Sequence, residues 1–206
     1  MATSGEVLDS EAKYTRYQRS DLRGAFLAGA RIMLRERGED KFSLNELARQ
    51  LGVSPAAAYR HFANKDALLA AVCSEGYRDF LAVLLRPFPA SIDPGQRVIE
   101  LGIRYVQFAV DNGDVFSMMF GSHPLDSETV GTDTFAPLLD AVVEAQQSGH
   151  LAPGDARETA GAVWIALHGM AVLSLSGGLN ALGLARSPED LVRTTFGRLL
   201  PNLAPE

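Results

Sequence analysis

Three features of the 206-residue chain predict an all-α fold. Apolar residues recur at helical spacing along most of its length. Helix-opening signals, such as Ser or Asp followed by Pro or by an acid three residues on, stand at the head of most apolar stretches. No segment alternates with period two between turn signals, so strands are not expected. The composition, 47% apolar and 21% charged, is that of an ordinary folded protein. A chain of this length buries a core without disulfides, and the single cysteine, Cys73, excludes both an internal disulfide and a Cys-rich zinc site. No unbroken apolar run reaches about 18 residues, and the opening MATSGEVLDSEAKYTRYQ has no apolar leader core. A cytoplasmic location with no membrane partner is the expectation.

Taken in order, Phe26, Ala30, Met33 and Leu34 mark a helix over about 20–37, and Gly38 is placed to stop it. Ser43-Leu44-Asn45-Glu46 is a capping box; Leu44, Leu47, Ala48 and Leu51 follow on one face, and Gly52 ends the helix. Ser54-Pro55 opens a third, with proline at a position whose N–H would be unpaired anyway. Asn64 caps a fourth over 65–86, ahead of Pro87 and Pro89. Asp93-Pro94 starts a helix to about 111, and Asp114 to Phe120 forms a short one. Helices over Phe135–Gln147 (its upstream boundary left open), 155–175 and from Ser187 onward complete the chain. No repeat of 20–50 residues is visible.

Residues 43–62 hold the most specific geometry: two short helices joined by Gly52-Val53-Ser54. Ala48 is small enough for the helix axes to approach, and Val53 can plug the turn. At about 100° per residue, Ala58 and Phe62 face inward while Ala56 and Arg60 point out, flanked by Ala57 and Tyr59. That is the layout of a helix-turn-helix whose second helix enters a major groove; alanines at 56 and 57 keep it slim enough for a groove about 12 Å wide. The charge distribution agrees. The net charge is −6, but Lys13–Lys65 holds eleven Lys/Arg against five acids, and the chain from Pro87 holds six basic against fourteen acidic residues. A polyanion-facing N-terminal module on an acidic remainder fits that asymmetry. Lys13, Arg16, Arg19 and Arg23, interleaved with Tyr14 and Tyr17, read as a disordered tail or as an arm for the minor groove.

Residues 20–70 resemble the DNA-binding domain of the TetR family of transcriptional regulators. The signature runs Phe42-Ser43-Leu44-x-x-Leu47-Ala48-x-x-Leu51-Gly52-Val53-Ser54, then Tyr59-x-His61-Phe62-x-Asn64-Lys65-Asp66-x-Leu68-Leu69. The resemblance implies that Ser43, His61 and Lys65 contact phosphates, and that Pro55, Ala56, Ala57, Tyr59 and Arg60 face bases or nearby phosphates, with Ser54 at the head of the same helix. Lys65 also opens a helix, where backbone N–H groups favour a phosphate. Many family members carry Thr-Leu or Thr-Ile where this chain has Ala57-Ala58. The change removes a hydroxyl from the DNA face and bulk from the core beneath, leaving readout to Arg60, Tyr59 and methyl contacts from Ala56 and Ala57.

The resemblance further implies a C-terminal helical domain that dimerises and encloses a ligand pocket. Trp164-x-x-x-His168-Gly169 resembles the Trp-His-Gly branch of such domains; Trp164 and His168, four apart, share a helix face. They read as effector contacts or as a core aromatic on a satisfied histidine. Met118, Met119, Phe120, Phe108 and Tyr105 form a soft apolar cluster suited to a pliable pocket or to ordinary packing. Gly161, Ala162, Ala166 and Gly169 permit close helix approach, with Leu191, Thr195, Phe196 and Leu199 of the last helix as the expected dimer partner. Cys73, beside Ala70, Ala71 and Val72, reads as inert packing.

The expected organisation is an N-terminal arm over 1–17, a three-helix DNA-binding domain over 18–65, and a regulatory and dimerisation domain over 66–206, with helix 65–86 bridging the two. The chain lacks G-x-S-x-G, Walker, G-x-G-x-x-G and H-E-x-x-H motifs, and its histidines (His61, His123, His150, His168) have no ligand spacing. No catalytic residue, metal or cofactor is expected. The reading is a homodimeric repressor that binds a palindromic DNA operator and is released by a small apolar effector. The alternative is a helical ligand-binding or adaptor protein with a degenerate helix-turn-helix, for which Ala57-Ala58 is the sequence support.

Overall fold

The computed structural model describes the backbone of residues 21–121 and 128–199, and the side chains of all of these except 128–132. The described helices are α1 (Leu22–Arg37), α2 (Leu44–Gln50), α3 (Pro55–His61), α4 (Lys65–Leu84), α5 (Pro94–Asp111), α6 (Gly113–Met119), α7 (Glu128–Gln147), α8 (Ala156–Leu175), α9 (Gly178–Ala181) and α10 (Pro188–Leu199). A 3₁₀ turn spans Glu39–Lys41, and no strand occurs among the described residues. Most of the expected arm (Lys13, Tyr14, Arg16, Tyr17, Arg19) and His123 lie outside the described residues. The chain divides into two units, Met1–Glu75 and Gly76–Glu206, the division falling within α4.

In the first unit the helix ends are fixed by side chains. Asp21 accepts from the Gly24 N–H at 2.9 Å, Ser43 from Glu46 at 3.1 Å, Ser54 from Ala57 at 3.3 Å and Asn64 from Ala67 at 2.8 Å. Each relieves an otherwise unpaired helix-start amide. Only half of the expected box at Ser43 matches: the Glu46 carboxylate accepts the Arg37 guanidinium at 2.6 Å instead of reaching back. Gly38 and Gly52 both have positive φ, 78° and 69°, which lets the chain leave α1 and α2 without a Cβ clash. The core gathers Phe26, Leu27, Met33, Leu47, Ala58, Leu68 and Leu69, each almost fully buried. The close approach of α1 and α2 is at Gly29, where a Cβ would come within 2.7 Å of Leu47 Cδ1. Cys73 is wholly buried, and burial pushes its thiol up to about 11, as inert packing requires.

In the second unit α5 is the central helix, packed against α6, α7, α8 and α10. Its sequence carries one small residue where the neighbours crowd in: a Cβ on Gly102 would lie 2.9 Å from Leu167, 3.1 Å from Val192 and 3.3 Å from Phe196. Arg104 of α5 donates to the carbonyls of Leu84, Arg86 and Pro87 and lies over the Phe88 ring at 3.9 Å. It thereby satisfies carbonyls that α4 leaves open at its end. Helix α4 stops at Leu84, two residues before the expected end.

Three further features bear on the expectations, and one of them, in α10, is a correction. Helix α7 starts at Glu128, which supplies the upstream boundary the sequence left open, and runs through Pro137, whose missing N–H interrupts the ladder without ending the helix. In α10, Leu191 and Phe196 turn inward, 8% and 1% exposed, to pack on α5; of the residues expected at a dimer face, only Leu199 is strongly exposed. Helix α8 is 20 residues long with a mean hydropathy of 1.3, long and apolar enough by composition to cross a membrane, although no unbroken apolar run suggested it. Two glycines, a serine and a histidine among its apolar residues hid that character. Only 28% of its most apolar window is buried, and Ile165, Val172 and Leu173 lie exposed along one stripe. Gly161 and Gly169 would carry a Cβ into open space.

Candidate functional site

The turn between α2 and α3 is built as its sequence suggests. The Val53 N–H donates to the Ala48 carbonyl at 3.0 Å, Val53 is half-buried in the turn, and Ser54 caps α3. Helix α3 buries Ala57 (6% exposed) and Ala58 (0%), and Phe62 just beyond its end is buried too, edge-on to Phe26 at 6.0 Å. Ala57 is therefore not a flank of the outward face, as the helical wheel suggested. The inward face is centred closer to Ala57 than an axis through Ala58 and Phe62 implies. Ser43, Ser54, Pro55, Ala56, Tyr59, Arg60 and His61 are exposed, Tyr59 by 50%. The exposed face of α3 thus carries a ring, a guanidinium and an imidazole around two small residues.

Lys65 has a structural task that its position in the motif did not reveal. Its ammonium donates to the Glu39 carbonyl at 2.5 Å and lies over the Phe42 ring at 4.9 Å, tying the start of α4 to the 3₁₀ turn. The group is half-buried and retains donors for a further anion. Arg23 similarly lies over Phe62 at 5.4 Å. Arg49, one helix away, is exposed.

The second unit holds a cavity of about 640 Å³. Phe80 of α4, Tyr105 of α5 and Phe120 after α6 form one side; Thr134, Phe135, Ala136 and Leu139 of α7 form another; Arg157, Gly161 and Trp164 of α8 close it. A second space of about 350 Å³ lies beside it, lined by Phe116, Phe120, His168, Val172 and Leu175 among others. Between the two stands a polar pair: the Tyr105 hydroxyl and His168 Nδ1 are 3.0 Å apart. Trp164 stacks on the His168 ring at 5.4 Å and 23°. Burial raises the Tyr105 phenol well above its usual range, with the Trp164 side chain acting against it, and burial lowers His168, so the histidine is held neutral.

Two family models match the sequence: bacterial regulatory proteins of the tetR family over residues 26–72, and the tetracyclin repressor-like C-terminal domain over 98–199. The chain belongs to the TetR family of transcriptional regulators. An uncharacterized HTH-type transcriptional regulator of Haemophilus influenzae is 22% identical over 77% of this chain and 76% of its own length. A protein of unknown function from Rhodococcus sp. RHA1 is 30% identical, with a TM-score of 0.76 over 92% of this chain and 99% of that one. The structure of AibR in complex with isovaleryl coenzyme A and operator DNA shares the fold at 21% identity, with a TM-score of 0.64 over 87% of this chain and 98% of that one.

Within this TetR-family chain, the expected pocket residues separate into three groups. Tyr105, Phe120 and Trp164 line the large cavity. His168 lines the smaller one and meets the large one through the Tyr105 hydroxyl and the rings of Trp164 and Phe120. Phe108, Met118 and Met119 are buried but line neither space: Phe108 packs on Phe80 at 4.9 Å, and Met119 lies against Gly76. Phe80, Thr134, Phe135, Leu139 and Arg157 were missed. Phe135 and Leu139, four apart in the expected helix over Phe135–Gln147, share a face, and that spacing carried a signal. Arg157 carried none, because a lone arginine in a first helical turn looks like any solvated charge.

Proposed function

We propose that this protein is a homodimeric, ligand-responsive repressor that binds a palindromic operator through α3 and is released when a small molecule occupies the cavity of the second unit. The observation that carries the DNA half is the outward face of α3, where Tyr59, Arg60 and His61 surround the slim Pro55 and Ala56. A helix so trimmed fits a major groove, and Arg60 is suited to a guanine edge. Ser43, Ser54 and His61 would meet phosphates, as would Lys65 with its remaining donors. The Trp-His-Gly resemblance supports the ligand half, since Trp164 lines the cavity and His168 buttresses it. So does the AibR complex, which holds both an acyl coenzyme A and operator DNA. The exposed stripe of α8 (Ala162, Ile165, Val172, Leu173), with the half-buried Gly169 beside it, is the proposed dimer face. Release requires the effector to bind the DNA-incompetent conformation more tightly, because equal affinity shifts nothing. No chemistry on the ligand is part of this reading, and the protein would act in the cytoplasm.

The test is a genome-fragment selection followed by gel shift with excess random duplex, using the wild type and a Tyr59→Ala/Arg60→Ala variant. Both residues are exposed, so the variant keeps its fold; Lys65 is left alone because it anchors the Glu39 turn. A palindromic site bound by the wild type and lost by at least about tenfold in the variant is the expected result. An empty selection sinks the reading in favour of a ligand-binding protein with a degenerate helix-turn-helix.

A further inference from the structure

We infer that the ligand of the large cavity is an amphipathic anion, an apolar body with a carboxylate or phosphate head held by Arg157. The inference rests on the proposed ligand role of that cavity and goes beyond it, because an apolar effector alone would need no charge there. Among the described lining residues the walls are dominated by aromatic and aliphatic side chains, and Arg157 is the one that carries a charge. Among the described residues no acid forms an ion pair with it. The Asp155 carboxylate is engaged by the backbone N–H groups of Arg157 and Glu158, at 2.8 and 3.0 Å. Instead the guanidinium lies 6.0 Å over the ring of Phe135, itself a cavity wall. The exposed cation thus stands at the cavity beside an aromatic side chain, and no ion pair or side-chain hydrogen bond claims it among the described residues.

The other polar groups of the lining do not compete for a charged head. The Tyr105 hydroxyl is engaged by His168, and its phenol is held in the neutral form. Thr134 also has a partner. A ligand oriented by these contacts places its apolar body against Phe80, Phe120, Leu139 and Trp164, and its head at Arg157. A bidentate pair with the guanidinium would then fix both orientation and class.

The chain contains one tryptophan, Trp164, in the cavity wall, so its emission reports occupancy directly. Four probes with the same ten-carbon body would be titrated into the full chain: decanoate, decyl phosphate, 1-decanol and decylamine. The expected result is that at least one anion binds about tenfold or more tighter than the alcohol and the amine. Arg157→Gln should bring that anion to the level of the alcohol, while Arg157→Lys keeps part of the preference. Equal binding of alcohol and anion, or an anion preference unchanged in Arg157→Gln, overturns the anionic class and leaves the cavity as a ligand site. No emission change with any of the four overturns both.

Discussion

His168 is held neutral by burial, its ring between Trp164 and the aromatic side chains of Phe116 and Phe120, with Nδ1 on the Tyr105 hydroxyl. Its folded-state pKa is lowered below the unfolded value near 6.5, so the unfolded chain takes up the proton first as pH falls. The neutral ring therefore imposes no penalty above about pH 6.5, and stability is lost on acidification from there toward the lower folded value. Urea midpoints at pH 7.5 and 5.5 should show a larger drop for the wild type than for His168→Gln; equal drops would refute the assignment. At this scale the sequence was a partial guide. Spacing alone put Trp164 and His168 together, because a helix fixes neighbours four apart. It could not show that Ala57 turns inward, that Lys65 spends a donor on the Glu39 carbonyl, or that Arg157 stands at the cavity. Each depends on a partner distant in the chain.

Among the elements, caps and glycine stops were legible because they are local: Asp93 and Ser187 accept first-turn amides where the motifs placed them. What was not legible was crowding between helices. Gly102 of α5 is the clearest case, since Leu167 of α8 and Val192 and Phe196 of α10 converge on the space a Cβ would take. Gly102→Ala should cost about 1–3 kcal/mol through overpacking, lowering the thermal midpoint by roughly 2–12 °C. Gly161→Ala in α8 is the matched contrast. Its Cβ would meet nothing within 4 Å, so better helix propensity should leave stability unchanged or raise it by up to about 1 kcal/mol. A scanning calorimeter separates the two, and equal effects would contradict the packing described.

For the whole molecule, the all-α class and the family were written in periodicity and in one contiguous motif. Which face of the second unit meets another copy was not. The last helix offered Leu191 and Phe196 as candidates, but both are used to close the core on α5. Of the exposed large apolar residues, Ile165, Val172 and Leu173 share one stripe of α8, where Ile165 is 67% exposed. Charging that stripe tests its role. Light scattering of Ile165→Asp should give the 22.1 kDa monomer where the wild type gives twice that mass. A variant that stays dimeric would move the interface elsewhere.

Pro137 gives α7 a timescale as well as a shape. The carbonyl of Asp133 has no amide to receive four residues on, so the turns before the proline are held to the rest of the helix by one bond fewer. Those turns carry Thr134, Phe135 and Ala136 of the cavity wall. In hydrogen exchange, amides 133–136 should therefore open locally, while those after Val142 wait for larger unfolding. A ligand resting on Phe135 would slow the first class and leave the second unchanged, so the wall itself would record when the cavity is full.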